Sequence, residues 1–190
     1  MRACARFEII ATGLLAVLAA TGGCQSAASG GQFEISAVEA RWASGRLDIR
    51  CEQSLRLSET ARTALGNGVP LTVELDFVLR GAASQTQLAR KRSDYEIRYL
   101  PMSEHYQVSG LADGQVRTYP RLRHALAGLG RVELSIDTGA LPAGDYELLA
   151  RTRLDRGRMP PPMRLPVLFD GQWAHASPWT AWPLLIDPES

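Results

Sequence analysis

The sequence predicts a mainly β protein, an antiparallel β-sandwich of immunoglobulin-like general architecture that carries two short helices. Short segments in which apolar and polar residues alternate recur along the chain, and this period of two is typical of strands with one buried face. Turn residues separate these segments at close spacing. Only two short segments carry helix signals, so the pattern favours antiparallel strands over alternating strands and helices.

The clearest strand covers residues 71–79, where leucine, valine and phenylalanine occupy the odd positions. Pro70 marks its beginning, because proline has no N–H for a sheet hydrogen bond. Gly66 and Gly68 can end the helix before it at little steric cost. Glu74 and Asp76 share the opposite face of this strand, which the alternation predicts to face solvent.

Alternation predicts further strands on both sides of this one. They fall near residues 33–37, 47–51, 55–57, 93–99, 106–108, 116–119, 132–136, 146–154 and 163–169. A hairpin turn is predicted over residues 41–46, and Asp113-Gly114 is a second turn signal. The three prolines at 160–162 predict an extended connection before the last of these strands.

Helix signals occur twice. Ser58 is predicted to cap a short helix from Glu59 to about Leu65, with the carboxylate of Glu59 in the first turn, where the helix dipole favours it. The second helix is predicted from an apolar stripe at i, i+3, i+4 and i+7. The stripe consists of Leu122, Ala125, Leu126 and Leu129.

The first residues predict an export signal rather than part of the fold. Two arginines precede an apolar run at residues 9–20, and small residues follow it, which is the order of an export signal. The run is shorter than the roughly 20 apolar residues that a membrane-spanning helix needs. We therefore divide the chain into an export signal (1–23), a Ser-, Ala- and Gly-rich flexible tether (24–32) and a single β-sandwich domain (33–186).

The Thr-Gly-Gly-Cys sequence at residues 21–24 resembles the lipobox of bacterial lipoproteins, in which the cysteine is lipidated and becomes the new N-terminus. This resemblance implies lipidation of Cys24 and attachment to a membrane. Gln25 follows where an aspartate would indicate inner-membrane retention, so the implied location is the outer membrane. The alternative is ordinary cleavage after Ala28, which would give a soluble periplasmic protein.

Cys51 is predicted to be a buried free thiol. It alternates with Leu47 and Ile49 on an inward strand face, and a buried free cysteine behaves as a small hydrophobic residue. If Cys24 is not lipidated, a Cys24–Cys51 disulfide becomes possible in an oxidising compartment.

The sequence shows no catalytic or metal-binding pattern. His105, His124 and His175 have no second ligand at i+2 or i+4, so no metal site is predicted. Nucleophile, phosphate-loop and dinucleotide motifs are lacking, so neither a catalytic residue nor a cofactor is predicted. The formal net charge of +1 gives no reason to expect a nucleic-acid partner. We therefore expect a protein that is not an enzyme; an envelope hydrolase would need His105 to meet an acid and a nucleophile in one cleft.

A basic cluster at Arg90, Lys91 and Arg92 could contact lipid headgroups or an acidic partner. Asp94 and Glu96 interrupt the positive charge, and short charge runs of this kind are typical of a solvated loop.

Three tryptophans, Trp173, Trp179 and Trp182, lie between prolines near the C-terminus. They could stack on glycan rings or meet a membrane interface. They could equally be buried by a C-terminal segment that crosses a sheet, because tryptophans are on average highly buried.

The order of motifs resembles a family of exported proteobacterial proteins known as domain of unknown function 4390. The resemblance covers roughly residues 33–184. It is carried by residues 64–72, Arg98-Tyr99-Leu100 with Tyr106 and Val108, Tyr119-Pro120 with Ala125-Leu126, residues 141–154 and the tryptophan-bearing end. It implies a single exported envelope domain, without an activity or cofactor to transfer.

Two functions follow as expectations. The first is a non-enzymatic envelope domain, held to a membrane by Cys24, that binds another envelope protein. The alternative is a periplasmic module that binds a ligand or carbohydrate through the tryptophan-rich end.

Overall fold

Residues 30–187 form two antiparallel sheets packed face to face, so the predicted β-sandwich is confirmed. These are the residues that the computed structural model describes, apart from the side chains of Pro166 and Leu168. The predicted export signal (1–23) and residues 24–29 of the predicted tether, with Cys24, lie outside the described residues.

The strands and helices follow one another in an order dominated by hairpins. The strands are β1 (Gln32–Ala43), β2 (Arg46–Arg56), β3 (Leu71–Gly81), β4 (Gln87–Leu100), β5 (His105–Gly110), β6 (Val116–Tyr119), β7 (Arg131–Asp137), β8 (Gly144–Leu154) and β9 (Thr180–Ile186). The helices are α1 (Glu59–Gly66), α2 (Leu122–Leu129) and α3 (Pro161–Phe169), and single 3₁₀ turns occupy Arg156–Arg158 and Gly171–Trp173.

The two sheets have unequal sizes. Among the described residues, the small sheet has the strand order β1-β2-β7, and the large sheet has the order β6-β5-β4-β3-β8-β9. Strand β1 contacts β8 and β9, whereas β7 contacts β4. The small sheet therefore covers one half of the large sheet, and β5 and β6 extend beyond it. Helix α2 packs against β2, β5, β6 and β7 and fills part of that gap.

Strand β3 is at the centre of the large sheet, and the prediction of this strand is confirmed. Its inward residues Leu71, Val73, Leu75, Phe77 and Leu79 have no exposed surface. This core stabilises the sandwich, because each fully buried large apolar side chain contributes about 1.5–3 kcal/mol relative to an exposed one.

The β1–β2 hairpin turns at Ser44 and Gly45, inside the predicted segment. Both residues have positive φ angles, 50° and 84°. Two-residue hairpin loops favour this left-handed conformation because it matches the strand twist, and glycine adopts it without steric cost.

Helix α1 is capped as predicted. The Ser58 side chain accepts a hydrogen bond from the N–H of Ala61, and Glu59 lies in the first turn. Helix α2 also forms where the apolar stripe predicts it, with Ala125 and Leu129 buried.

The predicted extended connection at 160–162 and strand at 163–169 are wrong, because this segment is helix α3. Prolines at the first positions of a helix are tolerated, since the first four N–H groups have no partner within the helix. Met163 and Val167, four residues apart, pack into the core. A run this short fits both the strand and the helix period, and the helix is the observed outcome.

The C-terminal segment adds a strand that the sequence analysis did not identify. Strand β9 pairs with β8 at the edge of the large sheet. Pro183 lies within it, which is compatible with an edge strand, because one side of its backbone needs no donor.

Candidate functional site

An open cleft separates the free edge of the small sheet from the uncovered end of the large sheet. It has a volume of about 480 Å³, within the ~300–1,000 Å³ that is typical of ligand sites. Strands β4, β5 and β6 form its floor, β7 forms one wall and the end of α2 closes one side. The cleft exists because three strands cannot cover six.

The backbone of β7 presents unpaired hydrogen-bonding groups to this cleft. Within residues 30–187, β7 pairs with β2 only. At the two ends of the pairing, the Gln53 N–H donates to the Gly130 carbonyl and the Thr138 N–H donates to the Gly45 carbonyl, both at 2.9 Å. Residues bonded to an antiparallel neighbour alternate with residues whose N–H and C=O point away. The groups that point away therefore belong to the odd-numbered residues Arg131, Glu133 and Ser135.

The cleft combines an apolar floor with a charged rim. Val108, Leu129 and Val132 are buried at its base. The rim carries two cationic side chains, Arg117 and Arg131, and two anionic ones, Asp113 and Glu133. This mixture suits a ligand that offers both apolar side chains and polar backbone groups.

Two tyrosines also line the cleft, Tyr95 from β4 and Tyr119 from β6. Burial, and next the nearby charge of Asp113, raise the pKa of Tyr95, so its hydroxyl stays protonated and can donate or accept a hydrogen bond. Tyr119 lies against Gly128 of α2, where an added Cβ would be 2.2 Å from the tyrosine oxygen. The glycine thus lets the ring pack directly on the helix.

A family model described as "Domain of unknown function (DUF4390)" matches residues 30–183, which is nearly the whole described sandwich. The chain belongs to this family. The resemblance found in the sequence is therefore confirmed. Comparison with curated proteins and with solved structures found no match, so the site of this DUF4390 domain must be interpreted from its own geometry.

The outer face of the large sheet in the DUF4390 domain carries a network of arginines around two carboxylates. The Nε and Nη2 atoms of Arg153 donate to the two carboxylate oxygens of Glu74, each at 2.9 Å. Arg90 donates to both oxygens of Asp76. Arg92 lies between them, 3.3 Å from Glu74 and 3.8 Å from Asp76.

This network corrects two predictions. Glu74 and Asp76 were expected on a solvent face, but each residue is only 2% exposed, because the arginines of β4 and β8 lie over them. The cluster of Arg90, Lys91 and Arg92 was expected in a loop, but it is part of β4. There, Arg90 and Arg92 face the β3 carboxylates, so the cluster carries less free charge than its sequence indicates.

The structure places the three tryptophans of the DUF4390 domain in different environments. Trp173 is buried in the core. Trp182 is half-buried on the inner side of β9, opposite the buried Leu148. Trp179 is 40% exposed and its ring lies 5.1 Å from the guanidinium of Arg151, on the outer side. The three rings therefore do not share one surface.

None of the histidines meets a nucleophile and an acid in the cleft. His105 begins β5 and its Nδ1 contacts the Ser103 carbonyl, while His124 is exposed on α2. Among residues 30–187, no group of three or more His, Cys, Asp or Glu side chains could hold a metal ion. None of the helices described there is long and apolar enough to cross a membrane.

Cys51 is a free and fully buried thiol. Burial raises its pKa to about 12, so the unreactive protonated form persists at neutral pH. The alternative disulfide involves Cys24, which lies outside the described residues.

Of the three histidines, His175 is the buried one. It is 2% exposed and stacks at a tilt on Phe33, with ring centres 5.4 Å apart. Its Nε2 accepts a hydrogen bond of 2.9 Å from the N–H of Ser58, which requires the neutral ring with its proton on Nδ1. Among the described residues, Nδ1 has no hydrogen-bond partner.

We predict a histidine-dependent loss of stability in mild acid. Burial lowers the pKa of His175 in the folded state below its usual value, so the unfolded chain binds a proton first, near the usual histidine pKa of about 6.5. The free energy of unfolding should fall as the pH drops below that value. Urea unfolding between pH 7.5 and 5.5 should show a smaller fall for His175→Gln than for the unchanged protein, whereas His124→Gln should leave the fall unchanged. Parallel curves for His175→Gln and the unchanged protein would contradict the prediction.

Proposed function

We propose that this domain is a non-enzymatic peptide-binding module of the bacterial cell envelope, which holds an extended segment of another envelope protein in the cleft. The segment would add a strand to the free edge of β7. The observation that carries this proposal is the unpaired β7 edge above the uncovered floor of β4, β5 and β6. An added strand would enlarge the small sheet and cover the exposed end of the large one.

Each part of an extended peptide has a partner in the cleft. Backbone groups of Arg131, Glu133 and Ser135 can pair with the peptide backbone, as in other cases of strand addition to a sheet edge. Alternate peptide side chains would point inward onto Val108 and Tyr95, because side chains of a strand alternate between its faces. The rim charges of Arg117 and Asp113 would select among peptide sequences.

The proposed setting is the envelope, reached through the predicted export signal at residues 1–23. Lipidation of Cys24 would anchor the domain to the outer membrane, and cleavage after Ala28 would instead give a soluble periplasmic protein. The intact mass of the membrane-extracted protein, with Cys24→Ser as control, separates these two routes.

The carbohydrate-binding alternative has less support. A sugar-binding surface commonly needs exposed aromatic faces, but Trp173 is buried and Trp182 faces inward. Trp179 would have to act alone, and one of its faces is already occupied by Arg151.

A random peptide library displayed on phage tests the proposal, with the immobilised domain as bait. The key variant is Glu133→Pro, because the Glu133 N–H points to the free edge and is not used by β2. Proline is tolerated at such an edge position but blocks strand addition. We expect at least about tenfold weaker binding of selected peptides, since one backbone hydrogen bond is lost and the edge is obstructed.

Glu133→Ala is the matched control, because it removes the same side chain and its ion pair with Arg50 but keeps the backbone donor. This variant should bind selected peptides within about twofold of the unchanged domain, and both variants should melt at similar temperatures. Failure to enrich any peptide, or equal binding by the proline variant, would refute the proposal.

A further inference from the structure

Helix α3 exposes two large apolar side chains on one face. Leu165 is 69% exposed and Phe169 is 88% exposed, and their spacing of four residues places them next to each other on the helix surface. Met163 and Val167 point the other way, into the core. The helix is thus fixed to the domain by one face and leaves an apolar stripe on the other, which we call the α3 stripe (Leu165 and Phe169).

The α3 stripe lies at the end of the sandwich where β1 begins. Phe169 leads into the second 3₁₀ turn, whose Gln172 carbonyl accepts a 2.8 Å hydrogen bond from the Ser58 hydroxyl. The Ser58 N–H in turn donates to His175. Gly31 packs on this histidine so closely that an added Cβ would lie 1.6 Å from its ring. These contacts join the start of the domain to α3.

The distance from Cys24 to this end is short. Cys24 stands seven residues before Gly31, and an extended chain spans at most about 3.5 Å per residue. A lipid on Cys24 would therefore hold Gly31, at the same end of the domain as α3, within about 25 Å of the membrane surface. This step rests on the lipid anchor of the proposed function, but the contact that follows from it can be tested without the lipid.

The charges beside the α3 stripe suit an anionic surface. Residues 155–170 contain three arginines and two aspartates. Arg158 pairs with Asp155 and with Asp94 of β4, so the positive charge next to the stripe is that of Arg164. Arg164 is exposed next to Leu165, and its Nε donates to the Met159 carbonyl at 2.8 Å. Among the described residues it forms no ion pair with a carboxylate, so its remaining N–H groups can meet phosphate oxygens.

We infer that the α3 stripe is a membrane-contact surface, with Leu165 and Phe169 in the interfacial region of an anionic phospholipid bilayer and Arg164 at the headgroup phosphates. Interfacial helices combine apolar side chains on the membrane side with flanking basic residues in this way. The contact would orient the tethered domain. The peptide cleft between β7 and β5–β6 is built from other elements, so the two surfaces can be tested separately.

Vesicle flotation tests the inference directly. Because the described sandwich lies within residues 30–187, the chain from residue 24 with Cys24→Ser can be used without lipid or export signal. Vesicles of phosphatidylglycerol and phosphatidylethanolamine should bind it more strongly than vesicles of phosphatidylcholine. Replacement of both stripe residues, Leu165→Gln with Phe169→Gln, should weaken this binding at least tenfold, since two apolar side chains leave the bilayer.

The matched control replaces two exposed apolar residues on other elements, Val116→Gln on β6 and Leu185→Gln on β9, and should bind as the parent does. The inference is overturned if the parent chain does not bind anionic vesicles, or if the stripe variant binds them equally. A lower melting temperature of the stripe variant would overturn it too, because the stripe would then be covered within the chain. A dimer that this variant dissociates, without vesicle binding, would assign the stripe to self-association instead.

Discussion

Replacement of Arg153 by methionine should lower the free energy of unfolding by about 3 kcal/mol. The variant would leave the buried carboxylate of Glu74 without its two 2.9 Å hydrogen bonds. Loss of the partner of a buried charge typically costs about 3–5 kcal/mol, and the 38% exposure of the Arg153 side chain reduces this cost. We expect the lower end of this range because Arg92 still contacts Glu74 at 3.3 Å. Equilibrium unfolding in urea measures the change.

Arg98→Met provides the control for this variant. Arg98 pairs with Glu96 on the same strand, but its side chain is 52% exposed and that of Glu96 is 24% exposed. Exposed ion pairs contribute at most about 1 kcal/mol, so this substitution should change stability little. Equal losses for the two arginine variants would show that the buried carboxylate has no special role.

Phe77→Ala should cost about 4 kcal/mol, because Phe77 has no exposed surface and lies on the inner side of the central strand. Truncation of a core phenylalanine typically costs about 3–5 kcal/mol through lost burial and the cavity that remains. Val78→Ala, on the neighbouring and partly exposed position of β3, should cost less than about 1.5 kcal/mol. Similar urea midpoints for the two variants would contradict the orientation of β3 in which Phe77 faces the core and Val78 faces outward.

Local signals in the sequence were sufficient for most of the secondary structure. The alternation at residues 71–79, the Ser58 cap and the stripe from Leu122 to Leu129 each report a single element, and each element is observed. The strand prediction for residues 163–169 was wrong because apolar residues at every second position also include a pair at helical spacing, Met163 and Val167. A short segment of this kind is decided by its tertiary packing, which the local pattern does not contain.

The candidate site could not be predicted from the sequence, because it depends on which strands become neighbours. The alternation in β3 placed Glu74 and Asp76 on the outer face correctly. It could not show that Arg153, 79 residues away from Glu74 along the chain, would cover them. The cleft likewise results from the unequal sizes of the two sheets. The sequence around Tyr95 and Tyr119 contains no motif that predicts this difference in size.

The central claim is that a peptide adds a strand to β7, and amide hydrogen exchange measured by NMR in the presence of a library-selected peptide tests it most directly. We predict that exchange slows at Arg131, Glu133 and Ser135, whose N–H groups point to the free edge of β7, and hardly changes at Val132 and Leu134, which already bond to β2. This alternating pattern is specific to strand addition. Unchanged exchange at Glu133 and Ser135 with the peptide bound would contradict the claim.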